Sequence, residues 1–389
     1  MLKEERNLGI KPVKLWLDDA DSSTLSQVAN LADFPYTFHH VALMPDAHVG
    51  FGMPIGGVLA LKDVIIPNAV GVDIGCGMCA VRTSSNFVSK DVLKKILGEI
   101  RKAVPVGFNH HKSAQDSKYM PSNNGVLGID SIAAREYDAA LKQVGTLGGG
   151  NHFIEIQRGD DGFIYIMIHS GSRNIGKQVA DYYNNLAGKL REQNNDIPKN
   201  WQLDYLFLDS MEGQNYIREM EFCVDFAFAN RNLMMERVKE IFAEETGYFE
   251  FDEMINIPHN YAALENHFGE DVWVHRKGAT RAIHGEIGII PGSQGSASYI
   301  VEGKGNPESF TSCSHGAGRT MGRNEAQKKL SVEQEAGRLD NLGIIHSIRT
   351  KKDLDEAPSA YKNIQKVMDN QTDLVDILVE LKPLAVVKG

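Results

Sequence analysis

The first third of the chain alternates apolar residues with polar or glycine positions, and helical spacing becomes prominent only later. Gly50 to Leu61 predicts glycine-punctuated strand, and the apolar run Val64 to Val72 predicts a strand ending at Asp73-Ile74-Gly75-Cys76-Gly77-Met78. Cys79-Ala80-Val81-Arg82-Thr83 leads away from that turn as the next strand. Ser89 is placed to cap an amphipathic helix, Val92 to Val104, that Pro105 ends. Gly107 to Asn124, with His110 and His111, is polar and predicts a loop. Strands at Asn151 to Ile156 and Phe163 to His169 flank Asp160-Asp161-Gly162, a hairpin-turn signal. The middle is helical: Phe222 to Glu245 is the longest periodic run, and Gly247 sits where such a helix stops. Short strands return at Trp273-Val274-His275, Gly288 to Pro291 and Ser298 to Val301. A helix from about Tyr361 to Leu381 is expected to nearly close the chain.

Strands interrupted by clustered helices, without regular alternation, predict an α+β fold with mixed sheets. No repeat, low-complexity tract or Pro/Ser-rich linker divides the sequence, so 1–389 is expected to form a single large domain.

Composition narrows the class. With 42% hydrophobic and 24% charged residues, the chain reads as a globular protein, and no apolar segment approaches the roughly 20 residues of a membrane span. Met1 to Asn7 lacks the apolar core of a signal peptide, and Cys76, Cys79, Cys223 and Cys313 are too scattered for a disulfide framework. A cytoplasmic, reduced protein is expected. The 41 basic and 51 acidic residues leave a net charge of −10, which argues against unspecific binding of polyanions over the whole surface. A local basic groove remains compatible with that balance. Arg319, Arg323, Lys328 and Lys329 lie close in sequence, as do Arg349, Lys351 and Lys352, although such runs are usually solvated faces.

The candidate chemistry centres on Asp73 and Cys76, delivered three residues apart into a turn with Gly71, Gly75 and Gly77. A carboxylate beside a thiolate is a hard–soft pair suited to a divalent transition metal, while an isolated D-x-x-C is more often an ordinary turn with a buried cysteine. Four histidines share a setting at strand ends or glycine turns: His152, His169, His259 and His315. Each taken singly is more readily a packed or surface residue than a ligand. Alternation puts Asn151, Phe153 and Glu155 on one strand face and His152, Ile154 and Ile156 on the other. If His152 binds a metal, Glu155 serves another purpose unless the strand twists or bulges between them, and a buried glutamate can accept two hydrogen bonds from a donor–donor edge such as that of guanine.

Several blocks, in order, resemble the RtcB family of RNA ligases. They are Pro45-Asp46-Ala47-His48-Val49-Gly50, Gly71 to Met78, Gly145-Thr146-Leu147-Gly148-Gly149-Gly150-Asn151-His152-Phe153 and His169-Ser170-Gly171-Ser172-Arg173. Pro258-His259-Asn260-Tyr261, Ile290-Pro291-Gly292-Ser293, His315-Gly316-Ala317-Gly318-Arg319 and Leu384 to Gly389 complete the set, which covers nearly the whole chain. The resemblance implies a domain built around a dinuclear manganese cleft. Asp73, Cys76 and His152 would bind one manganese and Cys76, His169 and His259 the second. It implies GTP as cosubstrate and His315 as the nucleophile that becomes guanylylated. Glu155 and Lys388 would hold the guanine, with Tyr361 against the base. Asn151, Asn260, Ser293, Ser298, His315, Gly316, Ala317, Gly318 and Arg319 would line the phosphate and nucleoside pocket.

As implied by the resemblance, the reaction joins RNA 2′,3′-cyclic phosphate or 3′-phosphate ends to 5′-hydroxyl ends, in tRNA splicing or RNA repair. An archease-type activator and a monomeric state are further implications. Ligand softness alone points to zinc for a Cys/His₂ set, whereas the resemblance implies manganese. Gln294, Gly149 and Arg281 depart from the usual pattern without removing a ligand or the nucleophile. A metal-dependent cyclic phosphodiesterase needing no nucleotide, and a non-catalytic binder of RNA ends, are the alternative readings.

Overall fold

The computed structural model describes the chain apart from residues 123–126, 129 and 195–196. Two sheets carry the architecture. The first runs, in spatial order, Glu4–Arg6, Val13–Leu15, Thr37–Phe51, Met53–Leu61, Glu270–Lys277 and Asn260–His267. Its pairs are antiparallel except Val13–Leu15 with Thr37–Phe51. The second runs Ile255–Pro258, Gly77–Arg82, Ile164–Ser170, Phe153–Gly159, Val375–Lys388, Ser298–Gly303 and Ile287–Ile290, antiparallel throughout. With helices segregated between these sheets and over their faces, the fold is α+β, as expected.

Local chemistry accounts for many of the elements. The helix Lys90–Ala103 begins where the Ser89 side chain accepts the amide of Val92, and buries Leu93, Ile96, Leu97 and Ile100 along one face. Those residues pack with Ile154, Ile156, Ile166 and Ile168 of the second sheet. The hairpin turn closes with the Gly162 amide on the Gly159 carbonyl, Gly162 adopting φ +90°. The helix over Phe222 to Glu245 is present but begins earlier, at Met211, capped by Ser210, and ends at Thr246 before Gly247. The part of the expected Gly107–Asn124 loop at residues 123 and 124 lies outside the described residues.

Two expectations are corrected. Val64 to Val72 is not one strand: Val64–Ile65 pairs with Leu206–Phe207, and Pro67 starts a single helical turn, Pro67–Val70. Proline is favoured in a first helical turn, where its missing amide costs nothing. The helix over Tyr361 to Leu381 is confined to Ile364–Asp369, after which Val375–Lys388 is a strand in the middle of the second sheet. Pro383, which a helix interior excludes, lies at a register shift between Pro383 and Ala385, where a strand tolerates it. Among the described residues no helix is long and apolar enough to cross a membrane.

Candidate metal centre and nucleotide cavity

Strand register gathers the candidate ligands. Gly77 pairs with Pro258 and Ser170, and His169 pairs with Met78 and Phe153. The ends carrying Cys76, His169, His152 and His259 therefore meet at one end of the second sheet. The turn before Gly77–Arg82 is tight because backbone packs against it: a Cβ on Gly77 would lie 2.1 Å from the Ile257 carbonyl oxygen. Gly75, at φ +72°, would place a Cβ 2.8 Å from the Val224 Cα. The Gly75 amide donates to the Asn260 carbonyl and the His259 amide to the Cys76 carbonyl, which ties the turn to the His259 strand end.

The donor atoms form two groups that share one thiol. Cys76 with His169 and His259 is one, and Asp73 with Cys76 and His152 is the other, the donor atoms in each lying within 4.8 Å of one another. Cys76 Sγ stands 3.3 Å from His169 Nε2 and 3.5 Å from His152 Nε2. His152 Nε2 is 3.0 Å from Asp73 Oδ2, and His169 Nε2 is 3.4 Å from His259 Nε2. On the far side of the rings, His152 Nδ1 lies 2.9 Å from the Leu147 carbonyl and His169 Nδ1 lies 3.2 Å from that of Asn151. A carbonyl can only accept, so Nδ1 carries the proton in both and Nε2 keeps its lone pair for a cation.

Protonation preferences fit a cation. Burial, reinforced by neighbouring histidines, holds His169 and His259 well below their ordinary range, so both are neutral imidazoles. Burial raises the Asp73 carboxyl, but His152, Arg173 and Cys76 outweigh it and set its pKa to about 2. Burial, with Asp73 beside it, pushes the Cys76 thiol well up, and a bound cation is what draws such a proton off. Three imidazoles, a carboxylate and a sulfur common to both groups suit a pair of divalent transition metals.

Support for this centre comes from the long helix, which the sequence reading left without a role. Asn230 Oδ1 accepts the amides of Gly145 and Thr146, and its Nδ2 donates to Ser170 Oγ and the Gly171 carbonyl. Arg231, fully buried, donates to the Gly75 and Ser170 carbonyls at 2.9 Å and to Asn256 Oδ1. Together they clamp the Gly145–Gly150 loop, the His169 strand end and the metal turn. Their signal in the sequence is a polar pair on the buried face of a periodic run. Arg173, at φ +57°, donates to Thr146 Oγ1 from the other side.

His315 follows the short strand Ser312–Ser314, with its ring centroid 4.9 Å from that of His259. Its Nδ1 lies 2.6 Å from Asp46 Oδ2, off the line of a good hydrogen bond, and the same carboxylate oxygen accepts the His315 and Gly316 amides. Asp46 is fully buried; burial raises its carboxyl, but His315, Lys362 and His48 outweigh that and keep it ionised. In the sequence Asp46 falls within a block shared with the family, and nothing there gives it this part. A carboxylate on Nδ1 leaves Nε2 as the basic, nucleophilic nitrogen.

A cavity of about 610 Å³ opens beside His315. Asn151, Glu155, His169 and Ser293 line it, as do Gly316, Ala317, Gly318, Arg319, Tyr361 and Lys388. Glu155 is 3% exposed and receives Gln157 Nε2, yet burial raises its carboxyl to about 7 against the help of Gln157 and Lys388. Lys388 arrives on the central strand opposite Phe153 and donates to the Asn151 carbonyl. Tyr361 is anchored through its hydroxyl to Glu356, which also receives Arg319 and Arg323 at 3.1 Å. Two other expected pocket residues lie behind the wall. Asn260 donates to the Asp73 carbonyl and accepts the Gly278 amide. Ser298 Oγ accepts from the Gly292 amide and Gln157.

Comparison with known proteins identifies the family. The family described as tRNA-splicing ligase RtcB matches residues 27–389. The chain is 38% identical to the RNA-splicing ligase RtcB of Escherichia coli K12, over 97% of each chain. It is 32% identical to the tRNA-splicing ligase RtcB of Methanococcus maripaludis, over 97% of this chain and 93% of that protein. With RNA-splicing ligase RtcB homolog 1 of Entamoeba histolytica it shares 31% identity over 95% of this chain and 84% of the relative. A match over nearly the whole chain, together with relatives aligned almost end to end, means that this chain belongs to the RtcB family.

Proposed function

We propose that this protein is a GTP- and manganese-dependent RNA ligase that joins 2′,3′-cyclic phosphate or 3′-phosphate ends to 5′-hydroxyl ends. The observation that carries the reading is the position of His315, between the Cys76 centre and a cavity lined by buried Glu155 and half-buried Lys388. Ionised Glu155 accepts the two N–H groups on the Watson–Crick edge of guanine, Lys388 supports it, and Tyr361, held by Glu356, packs against the base. Asp46 holds Nδ1 of His315, so Nε2 attacks the α-phosphorus of GTP; a P–N bond forms and pyrophosphate leaves. Gly316 and Gly318 keep side chains away from the phosphates. Two manganese ions, held by Asp73, Cys76 and His152 and by Cys76, His169 and His259, would supply positive charge to the phosphate oxygens when bound.

Water attacks the cyclic phosphate and breaks its P–O2′ bond, leaving a 2′-hydroxyl and a 3′-phosphate; a 3′-phosphate oxygen then attacks the GMP phosphorus, the P–N bond breaks and His315 is released. The 5′-hydroxyl then attacks that phosphate, GMP departs, and a 3′,5′-phosphodiester closes. GMP is a better leaving group than a bare oxyanion, which is the chemical reason for the nucleotide. The reading extends to one catalytic unit over 1–389, acting as a cytoplasmic monomer in tRNA splicing or RNA repair, with an archease-type activator as a partner. A cyclic phosphodiesterase acting without nucleotide leaves Glu155 and Lys388 without a task, and a non-catalytic binder of RNA ends leaves His315 without one.

The test is incubation with GTP labelled at the α-phosphate, across a panel of divalent metals. An acid-labile GMP adduct, lost in His315→Ala, is expected, followed by sealing of a 3′-phosphate RNA to a 5′-hydroxyl RNA. Absence of the adduct with every metal refutes the ligase reading.

A further inference from the structure

A second cavity, of about 980 Å³, lies outside the catalytic one and is lined by Phe51, Val72, Asn184, Asn185, Lys189 and Lys277 among others. The two cavities flank one strand end. His48 and Val49 line the first and Phe51 the second, about 7 Å further along at ordinary strand rise. Val72, on the second cavity's wall, directly precedes Asp73 in the chain.

The wall is built, and its charge is unbalanced. Lys277 is 8% exposed, and its Nζ donates to the Phe51 carbonyl at 2.6 Å and the Asn68 carbonyl at 2.9 Å. Gln202 fastens the same wall by accepting the Gly52 amide and the Asn68 side chain. The acidic groups around the cavity are already paired: Asp204 with Arg191, Glu192 with Arg191 and Lys199, Asp181 with Lys177. Among the described residues neither Lys277 nor Lys189 has a carboxylate partner. The side chains of Asn184 and Asn185 have no hydrogen-bond partner in the described protein, and Phe51 and Val72 are 58% and 52% exposed. An aromatic face, free amides and two lysines without a carboxylate partner, Lys277 lowered by burial to about 7 so that an incoming phosphate would draw it to its ammonium form, are the groups that take a base and a phosphate of a single strand.

We propose that the Phe51–Lys277 cavity is a subsite for the RNA strand adjoining the end being sealed, stacking a base on Phe51 and receiving a phosphate at Lys189 and Lys277. This rests on the ligase reading above. It assigns to the pocket a nucleotide unit a short way from the reacting end, and predicts that affinity depends on strand length.

The experiment uses the whole protein with Phe51→Ala and Lys189→Glu, both exposed positions, and measures KM for RNA with each strand shortened in turn. His315 guanylylation and the KM for GTP are recorded alongside, and normal values there separate a failed subsite from a failed ligase. For long strands, KM is expected to rise about tenfold in each variant, as loss of one stacked base or one phosphate contact implies. For one of the two strands, shortening it to a dinucleotide should erase the difference from the unsubstituted protein. An unchanged KM for long RNA overturns the subsite, as does an equal rise for long and short strands, which marks a distorted catalytic cavity. GMP and inorganic phosphate serve as the free-ligand arm: if they bind this pocket while RNA KM stays unaltered by the substitutions, the pocket serves a free nucleotide and the RNA assignment fails.

Discussion

Cys76 belongs to both donor groups, whereas Asp73 belongs to one. Cys76→Ala is therefore expected to remove both metals and Asp73→Ala chiefly the one it shares with His152. Metal stoichiometry by elemental analysis of the purified variants checks this, and equal losses in both would undo the bridged arrangement. Glu155 makes a second prediction. Its carboxyl titrates at about 7, and only the ionised form offers two acceptors to guanine. Below that pH the group is protonated, so the dissociation constant for GTP should rise up to about tenfold per unit of pH, and it should level off above about pH 8. Equilibrium binding between pH 5.5 and 8.5 reads the slope, with Glu155→Gln as the variant that should lose it; an identical slope in that variant removes Glu155 from the guanine contact. Asp73 and Cys76 were legible in the sequence because they sit at a glycine turn, where chemistry stands out from packing, and Glu155 because alternation puts it on the strand face opposite His152. Asp46 was not, since nothing local shows that a carboxylate in one sheet will meet a histidine some 270 positions later.

At the scale of elements, the long helix Met211–Thr246 is a structural member that also fixes the backbone of the candidate metal centre through Asn230 and Arg231. Asn230→Ala would strand the buried amides of Gly145 and Thr146 without their acceptor, at a cost of about 2–4 kcal/mol. Urea unfolding measures it; a loss under about 0.5 kcal/mol would mean that these amides find other partners. Periodicity found this helix and the hairpin because their signals are local. It misread Val375–Leu381, the first half of the strand Val375–Lys388, whose aliphatic residues fit either state. The choice is made by pairing with Phe153–Gly159 on one edge and Ser298–Gly303 on the other, partners far away in sequence. The same non-local pairing carries Lys388 into the cavity, so the misread element and a candidate site residue are one problem.

For the molecule as a whole, a net charge of −10 has to coexist with a polyanionic substrate. The fold resolves this by bringing together the two basic runs. Helix Arg323–Lys329 packs on the turn Lys351–Glu356, with Gln327 donating to the Lys352 carbonyl, beside the cavity that Arg319 and Arg323 line. Lys328, Lys329, Lys351 and Lys352 lie on these two packed elements, Lys329 paired with Glu325, and are expected to act as a basic rim for RNA, an arrangement that clustering in sequence could suggest for each run but not for the pair. A rim of this size engages roughly 3–5 phosphates, so the logarithm of RNA affinity should fall with the logarithm of salt with a slope of about −2 to −3.5. A protein attracting RNA over its whole surface would show a steeper dependence, and one recognising ends by shape alone almost none. Replacing Lys328 and Lys352 together by Glu should lower the magnitude of the slope by about 1.4, two contacts at roughly 0.7 each, without changing His315 guanylylation. Titrations of a 3′-phosphate RNA between about 50 and 200 mM KCl measure both slopes. If the double variant keeps the parent's slope, RNA approaches the cavity by another face and the basic rim is a solvated surface.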